Sequence, residues 1–138
     1  MSHSSGGGFF FAAYILQRLF MWSGMPQNMQ YVMCNGTSTA IGSGQANTTA
    51  IVTKCSSSAA YICDILVLNG YNDWFLPSED ELNQLYMQRS VVGGFANDYY
   101  WSSSEYDFLD AWLQSFGIGF QGHVVKYNLF YVRAVRVF

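Results

Sequence analysis

The chain has 138 residues, of which 51% are apolar and 18% aromatic, and it carries a formal net charge of −3. That length suits one domain with a substantial core, and the apolar content excludes a disordered chain. Only six Lys and Arg are present and none of them cluster, which excludes a nucleic-acid partner held through its phosphates.

The chain opens through Gly6–Gly8 into an apolar run, Phe9 to Trp22, interrupted by Gln17 and Arg18. The run is too short to cross a bilayer, and no basic residues precede it as an export signal requires. No membrane insertion is expected. Phe9–Leu16, aromatic and β-branched, predicts a buried strand whose natural partner is a strand at the C-terminus. A second apolar piece, Gln30–Cys34, ends at the turn signal Asn35-Gly36.

Asn35 to Asn47 reads as a loop; its GSGQANT stretch lacks the lysine and spacing of a phosphate loop. Thr48 or Thr49 then caps a short helix running through Thr53. The sequons at Asn35 and Asn47 matter only in a source that glycosylates proteins. Cys34, Cys55 and Cys63 are odd in number and have no metal-ligand spacing, so they read as buried free thiols.

A helix is predicted from Ala59 to Leu68, with Ile62, Ile65 and Leu66 inward and Gly70 as its stop. Pro77-Ser78 followed by Glu81 is a capping box for the next helix, whose apolar face is Leu82, Leu85 and Tyr86. Asp80 and Glu81 at its start and Arg89 near its end suit the helix dipole. The helix start also accounts for Glu79 and Glu81 without acid–base chemistry. Gly93-Gly94 breaks the chain before its last third. Helices in the middle with strands before and after make an α+β domain.

From Tyr100 to Phe138 two kinds of residue alternate. A frame comprises Trp101, Ser102, Ser103, Ser104, Glu105, Ala111, Trp112, Gln114, Phe116, Gly119, Gln121, Lys126 and Val132–Arg136. Between them lie 19 fillings: Tyr106, Asp107, Phe108, Leu109, Asp110, Leu113, Ser115, Gly117, Ile118, Phe120, Gly122, His123, Val124, Val125, Tyr127, Asn128, Leu129, Phe130 and Tyr131. Leu113, Ser115 and Gly117 alternate with Trp112, Gln114 and Phe116, so one strand face varies while the other packs. Gly117-Ile118-Gly119 reads as a turn, after which the parity switches. Solvent-facing fillings would form an apolar, aromatic surface of the kind that marks an interaction site. Without further context, core strands of an all-apolar sheet explain them better.

The segments GYNDWFLPSEDELNQLY, YYWSSSE, AW and YVRAVRVF resemble a bacterial and phage family that includes the C-terminal domains of collagen-like surface adhesins. The resemblance covers about residues 35–138. It implies a C-type-lectin fold, in the branch of formylglycine-generating enzymes, with two helices packed on antiparallel sheets and the N- and C-terminal strands paired. Within the last third, W-SSSE-AW-Q-F-G-Q-K-VRAVR resembles the scaffold of variable proteins made by diversity-generating retroelements. In such systems adenine-directed mutagenesis of AAC codons leaves codons ending in C, which never encode Met, Trp, Gln, Lys or Glu. None of the 19 fillings is one of those five types.

The resemblance implies a ligand-binding module whose 19 filling positions contact a protein or other surface ligand, displayed on a phage particle or cell surface. A fixed adhesin domain binding glycans or matrix polysaccharide is the alternative. Catalysis is not expected: His3 and His123 are the only histidines, and neither suits a nucleophilic triad. Ser102–Ser104 read as structural hydroxyls. No cofactor or metal is expected; Asp107 and Asp110 offer calcium-type oxygens, but a diversified site cannot guarantee them. Arg133 and Arg136 fall on opposite strand faces, so at least one enters the interior and needs a partner such as Glu105 or Asp73.

Overall fold

The computed structural model describes residues 11–23, 33–55 and 59–137, with backbone alone for 11–18. His3, Gly6–Gly8, Phe9 and Phe10, Gln30–Val32 of the second apolar piece, and Ser56–Ser58 lie outside those residues. The described elements are β1 (Phe11–Phe20), α1 (Gly44–Lys54), α2 (Ala59–Asp64), α3 (Glu79–Met87), α4 (Arg89–Val92), β2 (Tyr99–Glu105), β3 (Asp110–Ser115), β4 (Gln121–Val125) and β5 (Phe130–Val137). The fold is α+β. It has four described helices where two were expected, and a single mixed sheet ordered β1-β5-β2-β3-β4.

The terminal strands pair antiparallel, from Phe11↔Val137 to Phe20↔Phe130, as expected. β5 meets β2 in parallel at Tyr131↔Tyr100. Further along β5, Val135 exchanges both backbone hydrogen bonds with Phe75 at 2.8 and 3.0 Å. β2, β3 and β4 form an antiparallel run. Among the described residues no helix is long and apolar enough to cross a membrane.

The sheet is covered on both faces, and side-chain parity decides which core each residue joins. Trp101, Ala111, Leu113, Val132 and Ala134 point to a core completed by Ile51 of α1 and Ala59, Ala60 and Cys63 of α2. Tyr100, Phe116 and Val135 point the other way, onto Leu82 and Leu85 of α3. The capping box forms as predicted: Glu81 N–H donates to Ser78 Oγ, and Ser78 N–H donates to Glu81 Oε1. Leu82 and Leu85 are fully buried, and Tyr86 is half-buried.

Several expectations are corrected. The first helix begins at Gly44, not at Thr48 or Thr49, and Thr48 is fully buried within it, its Oγ1 accepting from Leu76 N–H. The second helix stops at Asp64, so its buried residues are Ala59, Ala60 and Cys63, while Ile65 is exposed. Gly70 is not a helix stop. With Asn69 it makes a two-residue turn between the paired Leu68 and Tyr71, both turn residues having positive φ (54° and 81°). Cys34 and Cys55 are not free thiols: they form a disulfide across 21 residues, leaving only Cys63 free and buried among the three cysteines.

Ser78 both caps α3 and donates its own O–H to Ala40 O at 2.9 Å from a fully buried position. Ser78→Ala is therefore expected to cost about 2 kcal/mol, the upper end for a lost N-cap, as measured by urea denaturation.

Candidate functional site

The site is built on β2, β3, β4 and the loops that join them, and the frame residues anchor these loops. β2 bulges between Trp101 and Glu105, where the register with β3 shifts. Three consecutive serines, all fully buried, fill that bulge. Their hydroxyls replace the ladder bonds the bulge forfeits. Ser102 Oγ donates to Trp112 O, Asn47 Nδ2 donates to Ser103 Oγ, and Ser104 Oγ donates to Ser38 O while accepting from Glu79 N–H. The serines are structural, as expected.

Glu105, next in the chain, accepts the backbone N–H groups of Cys34 and Asn35 and the ammonium of Lys126 at 2.6 Å. Both side chains of this ion pair are almost completely buried, at 3% and 2% exposure. Lys126 Nζ also donates to Phe108 O, its backbone N–H donates to Leu109 O, and its ammonium lies over the Trp22 ring. One buried ion pair thus holds the loop before β3 to the loop after β4. Neither arginine takes Glu105: Arg136 pairs with Asp73 at 2.7 Å, and Arg133 stacks over Phe95 and donates to Gly93 O.

At the β3–β4 turn, Gln114 donates to Asn83 Oδ1 and Gly119 O. Gly119 has φ +84°, and a methyl group there would meet the Tyr86 ring at 2.7 Å, so a side chain is excluded. Gln121 donates to the Glu79 carboxylate at 3.0 Å. Helix-start position therefore accounts for Glu81 but not for Glu79, which is buried against β4. Burial pushes the Glu79 carboxyl up to about 8, against the lowering effect of the Gln121 hydrogen bond.

The 19 fillings divide by exposure. Tyr106, Phe108, Gly117, Ile118, Phe120, His123, Tyr127, Asn128 and Leu129 are exposed, Ile118 by 80%. Asp107, Leu109, Asp110, Gly122, Val124, Val125, Phe130 and Tyr131 are half-buried. Leu113 and Ser115 are buried, correcting the expected alternation. The reason is that helices cover both faces of this part of β3. Leu113 enters the α1–α2 core, and Ser115 Oγ accepts from Gly117 and Ile118 N–H to shape the turn. Trp101 and Phe116 are buried as expected, but Trp112 is only half-buried. Asp107 likewise has a structural task, its Oδ1 accepting from Leu109 and Asp110 N–H.

Trp112 belongs to a ring cluster that sequence reasoning missed. Tyr106 stacks on His123 with centroids 3.5 Å apart and planes 6° apart. Trp112 stands nearly perpendicular to both, at 5.4 and 5.3 Å. His123 Nδ1 lies 2.8 Å from Asp110 Oδ2. The cross-strand pairing Trp112↔His123 could have been sought from an exposed-face alternation, but only the register reveals it. Among the described residues no group of three or more His, Cys, Asp or Glu side chains is placed to hold a metal ion.

Two outcomes are expected. Lys126→Met leaves the Glu105 carboxylate buried without its cation and should cost about 3–5 kcal/mol, with faster exchange of the position-126 amide that donates to Leu109 O. Glu79 is raised in the folded state, so its contribution to stability is full below about pH 4.5 and is lost as pH rises toward about 8. Chemical denaturation should show stability falling across that window, and Glu79→Gln should flatten the fall.

No curated protein sequence matches this chain significantly. The family model described as the Lcl C-terminal domain matches residues 17–136, beginning upstream of residue 35, where the resemblance in the sequence began. Running from the end of β1 through β5, that match establishes that the chain belongs to the Lcl C-terminal domain family.

Proposed function

We propose that this is a ligand-binding domain whose contact surface is made by the exposed and half-buried fillings between Tyr106 and Tyr131, diversified by a retroelement. Family membership points to an adhesin-like, ligand-binding C-terminal domain. The observation that carries the finer reading is the division of labour along one stretch of chain. Ser102–Ser104, Glu105, Gln114, Gln121 and Lys126 make the hydrogen bonds that hold the loops. Six of the fillings between them, Tyr106, Phe108, Ile118, Phe120, Tyr127 and Leu129, project large apolar groups outward, with Phe108, Ile118, Phe120 and Leu129 each more than half exposed. Exposed apolar groups in that number mark an interaction surface, and rigid rings such as Tyr106 and Phe120 supply contact area at low entropic cost.

On this reading the domain binds and does not catalyse. Its ligand is a protein or other molecule on a surface, reached from a phage particle or a cell. The branch shared with formylglycine-generating enzymes is part of the proposal as a matter of ancestry, not activity. The runner-up is a fixed adhesin domain for glycans or matrix polysaccharide, which the same exposed rings would serve by stacking on sugars.

The genomic locus discriminates between them. A near-duplicate of the last 40 or so codons, rich in AAC and beside a reverse-transcriptase gene, is expected. Its absence together with calcium-dependent hits on a glycan array would give the runner-up its place. The surface reading also makes a prediction for stability. Ile118→Ser and Phe120→Ser, at exposed positions, should each change unfolding free energy by no more than about 0.5 kcal/mol. Trp101→Ala, in the frame, should cost about 3–5 kcal/mol. Denaturant titration of the three variants measures this.

A further inference from the structure

We propose that the Tyr106–His123 ring stack, flanked by Asp107 and Asp110, docks a positively charged side chain, arginine or lysine, of a protein partner. This rests on the binding-surface reading above and gives that surface a chemistry.

Charge complementarity carries the argument. Between Tyr106 and Tyr131 the only Asp, Glu, Lys or Arg residues are Asp107, Asp110 and Lys126. Lys126 is buried and paired with Glu105, so the exposed part of the surface shows carboxylates and no ammonium or guanidinium. Of the other cations whose side chains are described, Arg136 lies on Asp73, Arg133 on Phe95, Arg89 over Tyr86, and Lys54 at the end of α1 beside Gly36. Asp107 accepts two backbone N–H bonds, which hold its carboxyl below the ordinary aspartate range and keep it ionised. An apolar surface with fixed negative charge selects a partner with the opposite sign, because like charges brought together across an interface cost several kcal/mol.

The rings add geometry. A cation is attracted to an aromatic face, and a guanidinium also stacks on it. Tyr106 and His123 are stacked on each other and stand on Trp112, so their orientation is set before any ligand arrives. His123 Nδ1 lies 2.8 Å from Asp110 Oδ2, a carboxylate oxygen that can only accept, so Nδ1 carries the hydrogen in that bond and the bond fixes the ring's orientation. The site thus offers ring faces and carboxylate oxygens, both suited to N–H donors carrying positive charge. Such a pre-ordered arrangement loses little entropy on binding.

The test titrates the intact chain with three pentapeptides, Leu-X-Leu-X-Leu blocked at both ends, where X is Arg, Gln or Glu, while aromatic NMR resonances of Tyr106, Trp112 and His123 are followed. The Arg peptide is expected to shift those rings and to bind about tenfold or more tightly than the Glu peptide, a difference of about 1.4 kcal/mol. Asp107→Asn with Asp110→Asn should shrink that ratio to about threefold or less, since two fixed charges are removed while Asn keeps an acceptor oxygen for the loop. In the unsubstituted chain, raising the salt concentration should weaken the Arg peptide alone. Equal binding of all three peptides on the same rings overturns the charge preference and leaves the binding surface standing. Shifts confined to other parts of the chain, or no shift with any peptide, overturn the docking point itself. The locus experiment tests the surface reading separately.

Discussion

Three serines packed without solvent contact inside a strand are costly unless every hydroxyl is used. At Ser102–Ser104 they are used to join parts of the chain that share no other element. Asn47 comes from α1, Ser38 from the loop before it, the Glu79 amide from the start of α3, and the Trp112 carbonyl from β3. Ser103 N–H closes the knot on Pro77 O at 2.7 Å, beside the segment that pairs with β5. Because the bulge cannot satisfy its own backbone, each of these neighbours has to be present for it to form. The two helical layers and the sheet are locked in one arrangement by this polar centre, while the two apolar cores supply the bulk of the burial.

On the proposed reading, that rigidity is what lets the last third vary. The loop Tyr106–Leu109 is held at its base by Glu105 and Lys126, and the β3–β4 turn is held by Gln114 and Gln121 through α3. Side chains carried between such anchors are free of the fold's demands wherever they face solvent. Where they do not, the fold reclaims them. Leu113 is a core residue, Ser115 orders the turn, and Asp107 orders the loop, although all three lie among the fillings. A surface that varies on this scaffold therefore has fewer independent positions than the alternation of types implies.

Part of this was legible in the chain itself. The Pro77-Ser78-Glu81 pattern specified a capped helix because capping is local: the groups that bond lie within four residues of one another. The pairing of terminal strands followed from having a strand at each end of one domain, and the structural role of the serine run from the lack of a histidine suited to a triad. The break at Gly93-Gly94 followed from local composition. So did the separation of the last third into anchoring polar residues and apolar groups between them, and most of those apolar groups do reach solvent.

What the tertiary structure alone decided are the relations between distant residues. Cys34 and Cys55 lie 21 positions apart, a spacing with no signature, and only the packing of the loop against the end of α1 brings them together. Parity along β3 shows which residues share a face, but not which face is covered; helices on both sides bury Leu113 and Gln114 alike, while α3 leaves Trp112 partly open. Glu79 is a helix-start carboxylate by sequence, and the approach of β4 turns it into a buried acid. The stack of Tyr106 on His123 depends on strand register, which no local rule of residue type supplies. Short-range backbone bonding is written in the order of the residues; burial, charge pairing and ring contacts depend on which surfaces meet once the chain has closed.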